Sequence, residues 1–314
     1  VHAVALCTLE QRIFRGEVKM PLPCTGGHEV SGEIVALGDG VNKKMWAPGD
    51  RVAVRLLYNC GECYYCRTGH ANLCERAQKK PVREGLLIGP GGLCDYVIVN
   101  TGYLFKIHDT LSYEEASLTE PLACVVHSVT KANIQLGEDV VVIGGGIMGQ
   151  YHVMLAKRRG ARVIMSEVDE SRRALAQKLG ADITFNPMEK DPVEYVKSLT
   201  EGRGADVVFN TTAIPSVVPQ AIAMTGKAGR MIQYSSMHPD APAPVSPQML
   251  HGNEPILTGS ISPDVHDFCT ANRLVSGGII DCKPLIAKKF PFEQAQQAFE
   301  AAIVPGTFRV IITD

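Results

Sequence analysis

Four cysteines, Cys60, Cys63, Cys66 and Cys74, are separated by two, two and seven residues. Thiolates so spaced in a loop can close a tetrahedral zinc site that has no open coordination position. Gly61, Gly69 and Asn72 permit the sharp turns such wrapping needs. An iron–sulfur cluster is the other use of four cysteines, and His70 is near enough in sequence to replace one thiolate. Structural zinc is the favoured reading, in a lobe of about 58–76; being closed, it offers no chemistry. A second set is more scattered: Cys7, the pair His28-Glu29, and Glu120. Singly, these read as a core cysteine, a packing histidine and a glutamate starting a helix. Together, one thiolate, one imidazole and one or two carboxylates with an exchangeable water make an open zinc site. Such a site polarises an alcohol or carbonyl oxygen.

A third group binds rather than reacts. The run Val140–Ile143 is β-branched and apolar, as suits a strand covered on both faces. It meets a turn, Gly144-Gly145-Gly146-Ile147-Met148-Gly149, then a helical stretch from 150 to 159 and a second strand from 162 to 166 ending on Glu167. Gly144, Gly146 and Gly149 have the spacing that lets a chain turn tightly and approach a pyrophosphate, which the helix N-terminus then holds. Glu167, 18 residues beyond the last glycine, is placed to accept hydrogen bonds from the adenosine ribose and to repel a 2′-phosphate, which favours NAD over NADP. The bland alternative is a glycine-rich loop. The strand–turn–helix–strand setting speaks for a dinucleotide.

The elements that must position these groups fall into two patterns. Residues 1–120 are rich in Gly, Pro and Cys, with short β-type runs at 30–37, 51–56 and 94–99 divided by turn signals, which predicts an irregular, mostly antiparallel β domain. From about 121, strands and helices alternate (140–143, 150–159, 162–166, 170–179, 206–210, 216–225, 229–234), which predicts an α/β fold with a doubly wound parallel sheet. Beyond 259 come helices at 265–276 and 292–303 and a closing strand at 308–313; the proline-rich stretch 239–247 reads as a surface loop. The first domain is thus expected from 1–120 together with 259–314, and the second from 121–258. The chain has 314 residues, enough for two domains. A net charge of -2 argues against a nucleic-acid partner. No apolar run approaches the ~20 residues of a membrane span. Ten cysteines with a metal-type cluster point to the cytoplasm. Val1–Leu6 reads as a strand in progress, which predicts a preceding segment of a few tens of residues carrying a first hairpin.

The sequence resembles the zinc-dependent medium-chain dehydrogenases, nearest their sorbitol (polyol) and threonine dehydrogenase branches, along essentially its whole length. The resemblance rests on Gly27-His28-Glu29, the four-cysteine lobe, Gly49-Asp50-Arg51-Val52, Glu120-Pro121-Leu122, the Gly144–Gly149 turn and Leu179-Gly180-Ala181. It implies a GroES-like domain beside a Rossmann domain, two zinc ions per chain and NAD. It implies catalytic zinc held by Cys7, His28 and Glu120, with Glu29 adjacent and able to ligate in some states. Glutamate at 120, where alcohol dehydrogenases carry a cysteine, implies a polyol- or sugar-type secondary alcohol. Around the cofactor it implies Ile147 and Met148, the latter backing the nicotinamide, with Arg172 beside the ribose, Thr211, and Arg309 reaching the pyrophosphate. A homodimer or homotetramer is the implied assembly.

One departure stands out. Where the family places a hydroxyl and a histidine for proton relay, this chain has Leu9 and Arg12. Glu10 can still orient His28, and the alkoxide proton is expected to leave through a zinc-bound water or Glu29. His127 reads as packing; Cys24 and Cys124 are candidate stand-in ligands, with core thiols the better reading. Cys94, Cys269 and Cys282 read as structural. The rival functions are a primary or aryl alcohol dehydrogenase, if the surroundings of Leu9 and Ile13 are apolar, and a catalytically idle NAD-binding protein with structural zinc only.

Overall fold

The computed structural model describes residues 1–77 and 87–314. The chain divides into two compact units, Val1–Cys124 with Pro263–Asp314, and Val125–Ser262. In chain order the first segment contributes β1 (Ala3–Ala5), α1 (Thr8–Phe14), β2 (Glu29–Glu33), β3 (Arg51–Arg55), α2 (Tyr64–Arg67), β4 (Leu104–Lys106), α3 (Tyr113–Ser117) and the start of α4 (Thr119–Ala132). The second unit continues with β5 (Asp139–Ile143), α5 (Ile147–Arg158), β6 (Arg162–Ser166), α6 (Glu170–Leu179), β7 (Ile183–Phe185) and α7 (Pro192–Leu199). It closes with β8 (Ala205–Asn210), α8 (Val217–Met224), β9 (Thr225–Gln233), α9 (Pro247–Asn253) and β10 (Ile256–Gly259). The chain then returns to the first unit through α10 (Val265–Ser276), β11 (Ile286–Pro291), α11 (Ala295–Ala302) and β12 (Arg309–Thr313).

The first unit is built on a sheet of order β11-β12-β1-β2-β3-β4, antiparallel except for the β11–β12 pair. Its core gathers Val4, Val30, Val52 and Val54 in one cluster and Leu6, Val310 and Ile312 with Ala298 and Ala302 of α11 in another. The expected strand at 94–99 does not form. Val97 and Val99 do pack on the core, so the alternation that suggested a strand is real, but Tyr96 and Ile98 are exposed and the segment joins no ladder. Cys94 Sγ instead donates to the carbonyls of Gly91 and Tyr96 at 2.9 and 3.0 Å. α1 has no sequence signal, because Cys7 stands at its N-cap without a capping side-chain bond.

The second unit is the expected doubly wound sheet, all parallel, in the order β10-β9-β8-β5-β6-β7. β5 is buried at every position, which explains its unbroken apolar run. The strand order reverses between β5 and β8, the place where such folds bind ligands. α6 begins on Asp169, whose side chain accepts from the Arg172 N–H, and ends on Gly180 in the left-handed region. α5 starts at Ile147, three residues before the helical stretch read from sequence, because the glycine turn itself winds into its first turn. No helix among the described residues is long and apolar enough to cross a membrane.

Candidate active site

In the lobe of the first unit, the sulfurs of Cys60, Cys63, Cys66 and Cys74 lie within 4.8 Å of one another; His70 is not among them. Backbone groups point at these sulfurs: Glu62 and Cys63 N–H donate to Cys60 Sγ at 3.5 and 3.4 Å, and Cys60 and Arg76 N–H to Cys74 Sγ, each at 3.3 Å. The N–H groups of Glu62 and Cys63 bring the Cys60 thiol down to about 6. Burial and the neighbouring thiols push Cys66 up to about 12. Four sulfurs this close, with donors fixed around them, fit a closed zinc site.

A second cluster in the same unit joins Cys7, His28 and Glu29, whose donor atoms also fall within 4.8 Å of one another. Cys7 is brought there by the start of α1, and His28 and Glu29 by the entry to β2. The His28 ring reaches the Cys7 sulfur, and its Nδ1 lies 2.7 Å from Glu10 Oε1, which also accepts from the Gly27 N–H at 3.2 Å. Glu10 is buried, and its Oε2 has no partner among the described residues. Burial disfavours the Glu10 carboxylate, but the His28 charge and hydrogen bond outweigh it and hold the group below its ordinary value. For Cys7, burial and then the Glu29 charge raise the thiol. A soft thiolate, an imidazole and a carboxylate, drawn from separate elements, form a donor set that suits zinc.

Two groups differ from the sequence reading. Arg309, expected at a pyrophosphate, lies on β12 with 5% exposure, its Nε 2.8 Å from Glu29 Oε2 and its Nη2 bonded to Glu29 Oε1. That bidentate pair occupies both oxygens of the carboxylate expected to relay a proton. Burial pushes Glu29 up to about 7 against the pull of Arg309. Glu120, in the first turn of α4, is buried but lies outside the cluster of three, with Cys124 Sγ donating to its Oε1 at 3.5 Å. Burial and the Glu120 charge raise Cys124 well above the ordinary thiol value. Reasoning from sequence missed the Arg309 pairing and also Arg55, a fully buried cation ending β3. The only signal for Arg55 was a charge directly after the apolar run 52–54.

In the second unit the glycine turn is held from several sides. Gly144 has φ +97°, and a Cβ on Gly149 would stand 1.8 Å from the Gly144 carbonyl oxygen. Only glycine lets α5 lie so close to the strand end. Thr211 Oγ1, from the end of β8, donates to the carbonyls of Ile143 and Gly144 at 2.8 and 3.1 Å. Gln150 Nε2 donates to the carbonyls of Gly145 and Arg172, both at 3.0 Å. Glu167 is buried, accepting from the N–H groups of Gly145 and of Asp169, the latter at 2.8 Å, with Arg172 Nη1 4.0 Å away. Behind Met148, the buried His152 donates from Nδ1 to the Met148 carbonyl at 2.8 Å and meets Ser128 Oγ at 2.9 Å; burial pushes its pKa down to about 4. A glycine cradle at the strand-order reversal, with a carboxylate beside it, fits a dinucleotide.

Residues 1–109 match the alcohol dehydrogenase GroES-like domain, and residues 148–277 the zinc-binding dehydrogenase domain. A D-arabitol-phosphate dehydrogenase of Enterococcus avium is 33% identical over 318 residues, covering 99% of this chain and 88% of that protein. A 2-dehydro-3-deoxy-L-galactonate 5-dehydrogenase of Pseudoalteromonas atlantica is 32% identical over 301 residues, covering 95% and 85%. The crystal structure of a zinc-binding dehydrogenase from Sinorhizobium meliloti 1021 bound to NADP superposes with a TM-score of 0.90 at 28% identity, covering 100% of this chain and 90% of that one. Likeness to dehydrogenases that extends through both units makes this chain an oxidoreductase of the zinc-dependent medium-chain dehydrogenase family, in its polyol dehydrogenase-like branch.

Proposed function

We propose that the chain interconverts a secondary alcohol and its ketone on a polyol or sugar-derived substrate, exchanging hydride with NAD+. Cys7, His28 and Glu120 would hold one zinc ion, with Glu29 beside them, and the four cysteines of the lobe would hold a second. The convergence of Cys7, His28 and Glu29 carries this reading, because it assembles an open mixed donor set apart from the closed sulfur site. Glu120 supports it through its charge, which acts on both Glu29 and Arg309. The relatives named for a sugar-alcohol phosphate and a sugar acid support a polyhydroxylated substrate.

When bound, zinc supplies Lewis acidity toward an alcohol or carbonyl oxygen, and the nicotinamide carries the hydride. The chain's own residues do the rest. Glu10 takes the Nδ1 proton of His28 in a hydrogen bond, which fixes the ring and leaves Nε2 to ligate. Arg309 holds Glu29 in place. The glycine turn, braced by Thr211, would admit a pyrophosphate, and Ile147 and Met148 open the helix whose N-terminal N–H groups would hold it. Glu167, flanked by Arg172, would accept hydrogen bonds from the ribose hydroxyls and disfavour a 2′-phosphate, which supports NAD as the cofactor.

Metal content by mass spectrometry tests the reading. The wild type should carry about two zinc ions per chain, and His28→Ala about one. One ion in both proteins would overturn the open site, and with it the catalytic assignment.

A further inference from the structure

Gln150 directly follows the last glycine of the turn and lies fully buried in the first turn of α5. Its Nε2 has two hydrogens and two acceptors, the carbonyls of Gly145 and Arg172, each at 3.0 Å. Carbonyls only accept, so the amide cannot be turned over. Its Oε1 is buried and has no partner among the described residues. A buried acceptor left without a donor is costly, and a methionine or leucine would fill much the same space without it. The use of the amide therefore lies in the two bonds its nitrogen makes.

Those bonds join two segments of the dinucleotide site. Gly145 sits in the glycine turn, and Arg172 in the first turn of α6, whose N-cap Asp169 follows Glu167 by two residues. Gly145 is gripped twice, its N–H by the Glu167 carboxylate and its C=O by Gln150, and both grips run to the stretch 167–172. The packing between them is close: a Cβ on Gly145 would stand 2.8 Å from Glu167 Cγ and 3.2 Å from Arg172 Cβ. The other Glu167 oxygen, Oε1, accepts from the Asp169 N–H at 2.8 Å, so the carboxylate is placed by the turn on one side and by the start of α6 on the other.

We propose that Gln150 is a positioning residue for cofactor choice: it holds the stretch 167–172 against the glycine turn, which keeps Glu167 where a ribose 2′-hydroxyl fits and a 2′-phosphate does not. The inference rests on the reading of Glu167 as the carboxylate that meets the adenosine ribose. Without the bracket, the stretch can draw back from the turn. Glu167 then loses its fixed place beside the ribose, and room opens for a phosphate near Arg172. Loss of preorganisation of this kind weakens the cofactor the site is shaped for more than the one it rejects.

The test titrates NADH and NADPH separately into the zinc-loaded full chain and follows nicotinamide fluorescence. The proteins are the wild type, Gln150→Met, Gln150→Asn and Glu167→Gln, with folding checked by circular dichroism. Methionine keeps the length and loses both donors; asparagine keeps the amide but is one methylene too short to reach both carbonyls. We expect the wild type to favour NADH, and Gln150→Met to raise the Kd for NADH about tenfold and that for NADPH less, with Gln150→Asn between the two. A merely structural glutamine would lower Tm and leave the NADPH-to-NADH ratio of Kd at the wild-type value. That result with a shifted ratio in Glu167→Gln overturns the proposal alone, as does failure of both Gln150 variants to fold. A wild type with no preference for NADH, or an unchanged ratio in Glu167→Gln, overturns the ribose reading and the proposal with it.

Discussion

Glu29 and Glu167 are both buried carboxylates, 0% and 6% exposed, and the molecule satisfies them in opposite ways. Glu29 is answered by a full charge, the guanidinium of Arg309, 280 residues away along the chain. Glu167 is answered by two backbone N–H groups, from Gly145 and Asp169, no more than 22 residues away. The first arrangement holds a charge in the interior by pairing it, and fails if either partner goes. The second spreads the charge over peptide dipoles that no side-chain substitution removes. A metal cluster can use the former, since its charges must balance as a set. A ribose-binding carboxylate needs the latter, because backbone donors leave lone pairs on its oxygens for an incoming hydroxyl.

The contrast can be broken most sharply at Arg309. Arg309→Met strands a buried Glu29 and should cost about 3–5 kcal/mol in urea unfolding, while the double variant Glu29→Gln/Arg309→Met should recover most of the loss. Equal losses in single and double variants would show that the pair contributes only packing. In the turn region, charge enters through acid. The folded His152 holds its pKa near 4 against an ordinary 6.5, so below pH 6.5 the unfolded chain binds a proton that the folded chain refuses. Stability should therefore fall by roughly 3 kcal/mol between pH 6.5 and 4, and the part of the slope due to His152 should vanish in His152→Leu. The smallest effect is expected at Glu167. Glu167→Gln turns an amide N–H toward a backbone donor and should cost about 1–2 kcal/mol, while raising the NADP-to-NAD ratio of kcat/KM. An unchanged ratio would remove Glu167 from cofactor choice.

What could be read in the sequence follows the same division. The glycine turn, β5 and Glu167 were legible because their partners are near neighbours and each residue type reports a local constraint. α6 was legible to the residue, since Asp169 and Gly180 mark its ends. The four cysteines announced their lobe by spacing alone. The Arg309–Glu29 pair was not legible, because nothing in either segment says that β12 inserts between β11 and β1. Arg55 was hidden similarly: one arginine in an apolar run looks like a strand end meeting solvent. At 94–99 the alternation correctly reported which residues pack, and wrongly implied a ladder, since side-chain periodicity carries no information about a hydrogen-bonding partner.

The place of β12 in the sheet also governs the order in which the protein can be completed during synthesis. β1 and β2 leave the ribosome early, yet β1 lacks its second neighbour, and Glu29 its counter-ion, until Arg309 emerges 280 residues later. At about 5–20 residues per second that interval is of the order of tens of seconds. Residues 125–262 are contiguous and form their sheet from their own strands, so they can fold while the first segment waits. During that wait the Cys7 and His28 region is exposed to any thiol-reactive or metal-scavenging agent nearby. The nascent chain thus presents the residues of the proposed zinc cluster before the sheet that encloses them is complete.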